Sequence, residues 1–232
     1  MKVIRCARLD LPVDFLALQS EVAALPNRWQ LHFQTAHYQG DWSVLPLRSL
    51  GGIAEETLPF ALGTAAGDFA STPLLAHCPS VERFLGSLQC PVRSARLLNL
   101  KRGSVIKPHN DAELAFENGE ARLHVPVFTN PEVEFVIHGQ RVVMDPGSCW
   151  YINANLTHQV ANRGTTDRVH LVIDCGVNDW LQECFTRAEV SHETLRRDSA
   201  QLRQMIEAFR AMNTPASLAL IPELEVELSH VQ

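Results

Sequence analysis

The chain has 232 residues, a length that favours one domain with a full hydrophobic core that needs no disulfides. Its 20 Lys and Arg residues against 26 Asp and Glu residues give a formal net charge of −6, with no basic run, so nucleic acid and anionic membrane surfaces are poor partners. No apolar segment approaches the ~20 residues that a membrane-spanning helix needs, and the first residues lack the apolar core of a secretory signal.

Residues 1 to about 90 predict mixed structure. A helix is expected within residues 11–25, because apolar side chains recur there at helical spacing, at Phe15, Leu18, Val22 and Leu25. Residues 29–33 predict a strand, and residues 81–88 predict a short helix that leads into the core. Residues 51–76 are rich in Gly, Ala, Thr and Pro and predict a loop. A plain surface loop is the first interpretation, and a lid that closes over a substrate is the alternative.

Residues 95–111 predict two strands joined by a turn at Gly103, and the second strand leads to an informative pair. Residues i and i+2 of a strand point to the same face, so His109 and Asp111 can converge on one metal while the residue between them points away. Because Pro108 lacks an N–H group and has a fixed φ, the pair is expected at a strand edge or end.

Residues 95–176 predict a strand-rich core. Short runs rich in β-branched and aromatic residues alternate with turn signals, and they lie at Leu123–Phe128, Val133–Ile137, Gln140–Met144, Ser148–Ile152 and Val169–Ile173. Regular short strands of this kind predict a mainly β fold, a double-stranded β-helix (a cupin-like jelly roll) with flanking helices at the N- and C-termini. The mouth of such a barrel is the natural place for a metal and a small ligand.

Residues 190–232 predict a C-terminal helical extension. Apolar residues form a helical stripe between charged positions, at Leu195, Leu202, Met205, Ile206, Phe209 and Met212. The stripe is expected to pack within the monomer, and a homodimer formed through this helix is the alternative. Residues 218–231 contain Pro222 and an alternating Leu-Glu-Val-Glu-Leu run, which predicts an edge strand. Residues 1–232 are expected to form a single domain.

The six cysteines favour a cytoplasmic protein. They are scattered along the chain with no Cys-x-x-Cys spacing, at Cys6, Cys78, Cys90, Cys149, Cys175 and Cys184. This pattern predicts free and mostly buried thiols in a reducing compartment rather than a disulfide framework.

Two later residues, His158 and Arg168, complete a possible metal and cosubstrate site with the pair His109 and Asp111. Two imidazoles and one carboxylate can occupy one face of an Fe(II) octahedron and leave three positions for substrate, cosubstrate and oxygen. The planar guanidinium of Arg168 could then hold the distal carboxylate of 2-oxoglutarate with a two-pronged fork that a lysine lacks. A solvated surface pair would explain a His-x-Asp sequence by itself. Chance explains the combination of all four residues far less well.

The chain also resembles the aspartyl/asparaginyl β-hydroxylase-like Fe(II)/2-oxoglutarate dioxygenases, and within them the bacterial hydroxylases of free amino acids of the proline cis-4-hydroxylase type. The resemblance runs from about residue 20 to residue 185. Its fairly specific part covers the metal and arginine motifs, at Pro108–Asp111, Ala121–Val127, Gly147–Asn153, Thr157–Asn162 and Asp167–Asp174. A softer upstream match covers Trp29–Phe33 and Gly40–Arg48.

The resemblance implies a cofactor set of Fe(II), 2-oxoglutarate as cosubstrate and O2. The implied iron ligands, also the catalytic centre, are His109, Asp111 and His158. Arg168 would bind the C5 carboxylate of 2-oxoglutarate. The strand pair Arg122 and His124 would face the active site, near 2-oxoglutarate or a substrate carboxylate. An arginine on the barrel rim and a buried, satisfied histidine are the alternatives for these two.

Asp111 bears on the kind of substrate. The peptide-hydroxylating branch of the resembled family lacks the carboxylate ligand, so its presence here favours the small-molecule branch. The asparagines Asn153, Asn155 and Asn162 are candidates for fixing the ligand imidazoles. A substrate pocket could further be shaped by Arg48, Trp42, Trp150 and Tyr151.

Three functions compete. The leading hypothesis is a 2-oxoglutarate-dependent hydroxylase of a free amino acid or a small amino-acid-like metabolite. The second is a hydroxylase of Asp, Asn or another residue in a peptide, protein or carrier-bound substrate. The third is a metal-binding cupin without oxygenase activity. Arg168 argues against the third, because a plain metal cupin has no need of a carboxylate anchor.

Overall fold

The computed structural model describes residues 1–58, 66–195 and 199–230. They fall into two compact units, which are described separately. The larger is Ile4–His192, and the smaller combines Met1–Val3 with Glu193–Gln232. The single domain expected over residues 1–232 stays a prediction.

Strands dominate the larger unit, with helices on either side of the strand-rich segment in the sequence. In chain order the strands are β1 (Lys2–Leu9), β2 (Gln30–Leu31), β3 (Tyr38–Gln39), β4 (Trp42–Leu50), β5 (Phe69–Ser71), β6 (Val92–Leu100), β7 (Val105–His109), β8 (Glu120–Phe128), β9 (Val133–Ile137), β10 (Gln140–Val142), β11 (Cys149–Ile152), β12 (His158–Asn162), β13 (Arg168–Gly176) and β14 (Glu189–Thr194). The helices are α1 (Phe15–Ala24), α2 (Pro79–Ser87), α3 (Asp179–Thr186), α4 (Ser199–Met212) and α5 (Pro215–Ser229). Of these, α4 and α5 belong to the smaller unit.

The strands form two antiparallel sheets. The nine-stranded sheet has the order β14-β1-β11-β8-β13-β6-β4-β2, with β5 paired to β4, and the five-stranded sheet has the order β10-β9-β12-β7-β3. From β6 to β9 the chain alternates between the two sheets, as a double-stranded β-helix requires. The predicted cupin-like jelly roll with flanking helices is confirmed.

The two faces of the large sheet have different surroundings. Leu97, Leu123 and Leu171 belong to the main apolar cluster, together with residues of α1 and α2 such as Leu18 and Phe84. Successive strand residues point to opposite faces. Their neighbours in sequence therefore face the other way and line a cavity, namely Arg96, Leu98, Arg122, His124, Val172 and, further along β13, Arg168.

Most local predictions in the larger unit are confirmed. Helices α1 and α2 lie where they are expected, and β6 and β7 are joined through Gly103, whose φ of +74° suits glycine. Residues 29–33 contain a strand of only two residues, β2. All six cysteines are buried and free. Strands β1, β4 and β14 were not anticipated. Because β14 spans Glu189–Thr194, the helical extension predicted for residues 190–232 is wrong over residues 190–194.

The loop predicted for residues 51–76 is wrong in its second half. Phe69–Ser71 forms β5 and pairs with β4, and Pro73–His77 forms a 3₁₀ turn. The Thr72 hydroxyl explains the change of direction, since it accepts from the Leu74 N–H and donates to the Pro46 carbonyl. Residues 59–65 lie outside the described part of the chain.

The smaller unit contains a helix pair. Leu202 and Ile206 of α4 pack against Ile221 and Leu224 of α5. The edge strand predicted for residues 218–231 is therefore wrong, because the apolar residues there also recur at helical spacing. Helix α5 is started by a capping box between Thr214 and Ser217, with a proline in its first turn. The homodimer stays a prediction. Among the described residues, no helix is long and apolar enough to cross a membrane.

Candidate metal centre and its cavity

Two strands of the small sheet bring the two predicted histidine ligands together. Strands β7 and β12 are antiparallel neighbours, and His109 is the cross-strand partner of His158. Strand β7 ends at His109, and Asp111 follows in a loop fixed by a hydrogen bond from the Asp111 N–H to the Ala154 carbonyl (2.8 Å). One ligand atom from each of the three residues lies within 4.8 Å of the others. The structure thus groups His109, Asp111 and His158 as the sequence predicts.

Backbone carbonyls orient both imidazoles. His109 Nδ1 lies 2.8 Å from the Lys107 carbonyl oxygen, and His158 Nδ1 lies 3.0 Å from that of Leu156. Nδ1 donates in these bonds, so the lone pair of each Nε2 is available to a metal. Burial and the neighbouring His109 lower the pKa of His158 to about 4, so this ring is neutral at neutral pH.

The asparagines proposed to fix these rings have other partners. Asn153 donates to the Ile4 carbonyl, and Asn162 donates to the carbonyls of Leu100 and Thr166. The Asn153 side chain also accepts from the Asn155 N–H. The side chains of Asn153 and Asn162 therefore stabilise backbone segments, and the two imidazoles are held by backbone carbonyls instead, so that prediction is wrong.

Asp111 is held by a charged partner from the large sheet. Arg122 Nη1 donates to Asp111 Oδ2, while Nε and Nη2 of the same guanidinium donate to Asp174 at 2.6 and 3.1 Å. Burial acts to raise the pKa of Asp111, but Arg122 and the two ligand histidines outweigh it and the pKa is lowered. Asp111 is thus an anion, the form that binds a metal.

Arg168 is a buried cation with spare hydrogen-bonding capacity. It is 2% exposed, its Nη2 lies 2.9 Å from His170 Nδ1, and its guanidinium carbon lies 5.5 Å from the centre of the Phe135 ring. Its Nε has no hydrogen-bond partner among the described residues. Burial lowers the pKa of Arg168 to about 9, which leaves it charged at neutral pH. A buried cationic donor with an unsatisfied N–H group is stabilised when it binds an anionic ligand.

His124 lies beside Arg168 on the same cavity wall. Its Nδ1 is 3.4 Å from His170 Nδ1, and its buried Nε2 has no partner among the described residues. Burial, and then Arg168, lower the pKa of His124 well below its usual value, so the ring is neutral. Arg122 and His124 share one strand face, as predicted, and both line the cavity.

The cavity has a volume of about 460 Å³, within the range of small-molecule sites. Its lining combines the candidate metal ligands and three arginines, Arg96, Arg122 and Arg168, with apolar side chains. The apolar part includes Trp42, on which the buried His32 ring stacks at 3.6 Å between ring centres. A lining that combines charged and apolar side chains suits a small polar molecule with a carbon skeleton.

Some cavity predictions fail. Trp42 lines the cavity, but Arg48, Trp150 and Tyr151 are not among its lining residues. Arg48 donates instead to the Val92 carbonyl, Trp150 to the Ser148 hydroxyl, and the Tyr151 hydroxyl accepts from the Phe116 N–H.

Sequence reasoning missed three site residues, Arg96, Asp174 and His32. Arg96 and Asp174 are both 2% exposed and form a salt bridge at 2.9 Å. A signal for them was present in the sequence. Charged residues are almost never fully buried unless paired, and these two adjoin apolar runs of predicted strands, since Arg96 precedes Leu97 and Leu98 and Asp174 follows Leu171–Ile173.

The amino-acid sequence of the chain matches those of known proteins. Residues 13–177 match the sequence profile of the family described as aspartyl/asparaginyl beta-hydroxylase. The chain is 28% identical over 137 residues to the L-proline cis-4-hydroxylase of Rhizobium meliloti (strain 1021). That match covers 58% of this chain and 48% of the relative, so the chain spans about half the length of the curated relative. The predicted resemblance is confirmed.

The chain is also similar to solved structures of other proteins. An oxidoreductase of the 2OG-Fe(II) oxygenase family from Burkholderia pseudomallei is 16% identical, with a TM-score of 0.45, over 70% of this chain and 77% of that chain. HygX from Streptomyces hygroscopicus, with nickel, 2-oxoglutarate and hygromycin B bound, is 12% identical, with a TM-score of 0.45, over 76% of this chain and 84% of that chain.

Proposed function

The chain belongs to the aspartyl/asparaginyl β-hydroxylase family, and we propose that it is an Fe(II)- and 2-oxoglutarate-dependent hydroxylase of a free amino acid or a small amino-acid-like metabolite. One observation carries the proposal. The ligand atoms of His109, Asp111 and His158 cluster within 4.8 Å, in a cavity that also contains the buried cation Arg168.

The donor set fits Fe(II). Two imidazoles and one carboxylate are the ligands of the facial triad that leaves open positions on non-haem iron. When bound, Fe(II) with 2-oxoglutarate and O2 supplies the oxidation of a C–H bond to C–OH, with release of succinate and carbon dioxide. The protein residues hold the ligands, exclude water and orient the substrate.

Arg168 is the residue proposed to bind the C5 carboxylate of 2-oxoglutarate. Its partnerless Nε and its charge are both buried, so a carboxylate there would satisfy a donor that is costly to leave unpaired. Pairing with an anion would also offset the burial that lowers its pKa. His124 Nε2, which is also buried and has no hydrogen-bond partner within the described part of the chain, is a second polar contact for the cosubstrate.

Three observations favour a small amino-acid substrate over a peptide. The cavity volume of about 460 Å³ must hold both cosubstrate and substrate. Asp111 places a carboxylate beside the two histidines, and a carboxylate at this position is typical of the small-molecule branch. The relative from Rhizobium meliloti is described as an L-proline cis-4-hydroxylase. A residue within a peptide or carrier-bound substrate is the alternative.

A cupin without oxygenase activity fits the cavity less well. Such a protein needs a metal site, but it has no use for a buried guanidinium with an unpaired donor. Arg168 would then represent a cost in stability with no ligand to compensate for it.

Succinate release tests the proposal. The purified protein with Fe(II), 2-oxoglutarate and O2 is incubated with single amino acids, L-proline first, and with matched short peptides. We expect amino-acid-dependent succinate and an equimolar hydroxylated product, both lost in Asp111→Ala. Succinate formation with peptides alone would favour the alternative substrate class. Full activity of Asp111→Ala would overturn the assignment of the ligands.

A further inference from the structure

A chain of buried ion pairs leads from the large sheet to the candidate metal site. Arg96 contacts Asp174, Asp174 contacts Arg122, and Arg122 contacts Asp111. The side chains of Arg96 and Asp174 are each 3% exposed and that of Arg122 is 10% exposed. Asp174 stands at the centre of this chain and contributes no atom to the cluster of candidate ligands.

Both oxygens of Asp174 are used. Oδ1 accepts from Arg122 Nε at 2.6 Å, and Oδ2 accepts from Arg122 Nη2 at 3.1 Å. Oδ2 also accepts from Arg96 Nη2 at 2.9 Å and from the Ser94 hydroxyl at 3.0 Å. Asp174 thus binds one edge of the Arg122 guanidinium through two hydrogen bonds, and its own carboxylate is fixed by the hydrogen bonds from Arg96 and Ser94.

The register of the paired strands fixes the contact between Asp174 and Arg122. Asp174 on β13 is the direct cross-strand partner of Arg122 on β8 and of Ser94 on β6. Asp111, in contrast, lies in the loop after β7, a strand of the other sheet. The ion chain therefore ties a ligand on a loop to three paired strands.

We propose that Asp174 is a positioning residue for the metal site, because it fixes Arg122 and Arg122 in turn fixes the carboxylate of Asp111. This inference rests on the metal site of the proposed function. Asp174 occupies Nε and Nη2 of Arg122, so only Nη1 reaches Asp111 and one oxygen of Asp111 is left to the metal. Without Asp174, Arg122 can turn its whole fork onto Asp111 and compete with the metal for both oxygens.

A metal titration tests this role without relying on turnover. The dissociation constant of Co(II) is measured anaerobically from its visible absorption, in the wild type and in Asp174→Asn, a variant of nearly equal shape. We expect the dissociation constant to rise about 10- to 100-fold, as is usual when a group that orients a ligand is lost. Circular dichroism checks that the variant is folded.

The control is Glu120→Gln. Glu120 lies on the same strand as Arg122 and forms a salt bridge with Arg93 at 2.6 Å. Removal of its charge should leave the Co(II) dissociation constant within about twofold of the wild type, since among the described residues it forms no hydrogen bond or ion pair with Arg96, Asp174, Arg122 or Asp111 and acts on Asp174 only through the electrostatic field.

A double variant separates positioning from a general loss of stability. If Asp174 acts through Arg122, Asp174→Asn should change Co(II) binding by less than about threefold in an Arg122→Lys background. Arg122→Lys by itself should also weaken binding, for a different reason: a lysine ammonium lacks the fork that contacts Asp174 and Asp111 together, so the carboxylate of Asp111 is no longer fixed. It also serves as the test if Asp174→Asn does not fold.

The outcomes are distinguishable. No Co(II) binding by the wild type would overturn the metal site and the proposed function with it. Binding by the wild type, with a dissociation constant in folded Asp174→Asn or Arg122→Lys within about twofold of it, would overturn the positioning role alone. Additive losses in the double variant would overturn the action through Arg122.

Discussion

The two sheets contribute different kinds of side chain to one cavity. The five-stranded sheet supplies His109 and His158, which face each other across β7 and β12, and it leads to Asp111 just beyond the end of β7. The nine-stranded sheet supplies buried guanidiniums and Asp174, from strands that are almost entirely inaccessible to solvent. The small sheet offers two histidines, candidate metal ligands, whose rings are oriented by backbone carbonyls. The large sheet offers buried charged side chains that are paired with one another.

Substitution of the histidines and substitution of the buried charged residues should therefore have different effects on the free energy of unfolding. A ligand histidine held by a backbone carbonyl can be lost with little effect on the fold. A buried charge that loses its partner leaves the other charge desolvated and unpaired. We therefore expect substitutions of the candidate ligands in the small sheet to act mainly on metal binding, and substitutions of the buried charges in the large sheet to act mainly on stability or on ligand affinity.

The largest effect on stability is expected for Asp174→Ala. It removes the partner that Arg96 and Arg122 share, so the free energy of unfolding should fall by about 3–5 kcal/mol. Urea denaturation measures it, with Glu134→Ala as the control, because the Arg163–Glu134 pair is solvent-exposed and worth about 0–1 kcal/mol. A loss for Asp174→Ala no larger than that for Glu134→Ala would contradict the comparison.

A more selective effect is expected for Arg168→Lys. A lysine keeps the charge but cannot reproduce the two-pronged contact with a carboxylate. The dissociation constant of 2-oxoglutarate, measured by calorimetry with Co(II) present, should rise about 10- to 100-fold. Co(II) binding should stay unchanged, because Arg168 is not among the candidate ligands. Equal affinity for 2-oxoglutarate would remove Arg168 as its anchor.

A smaller effect concerns His32 and pH. Burial, with Arg96 and Arg122 next, lowers the pKa of His32 from 6.5 to about 3 in the folded protein. Between these two pH values the unfolded chain binds a proton at His32 that the folded chain does not bind. The contribution of His32 to the free energy of unfolding is therefore fully present above pH 6.5 and is lost as the pH falls toward 3.

His32→Phe tests this dependence. Phenylalanine can keep the stack on Trp42 but cannot titrate. The fall in unfolding free energy from pH 7 to pH 5 should be smaller than in the wild type by about 2 kcal/mol or less. His124, His158 and His170 also have lowered pKa values, so the pH dependence of stability that they cause should remain in the variant. An unchanged slope would show that His32 does not titrate between the two states.

The small-sheet half of the site could be predicted from the sequence, and the reason is local. The spacing of His109 and Asp111, and the proline before them, indicate a strand end with two side chains on one side. The role of His158 and Arg168 needed the family resemblance as well, because spacing alone does not say which strands meet.

The large-sheet half could not be predicted in the same way. Arg96 and Asp174 are far apart in sequence, and their contact depends on the register of β6 against β13. Local pattern was also insufficient for residues 218–231, where the alternating run fits both a strand and a helix. The cap at Thr214 and the packing of Ile221 and Leu224 on α4 decide for the helix.

The most direct test of the account is the anaerobic visible spectrum of the protein after addition of Fe(II) and then 2-oxoglutarate. It requires no knowledge of the substrate. We expect a metal-to-ligand charge-transfer band that appears only with both additions and is absent in His109→Ala, whose circular dichroism should match the wild type. Bound iron without such a band would mean that 2-oxoglutarate does not chelate it, and would contradict the proposed hydroxylase.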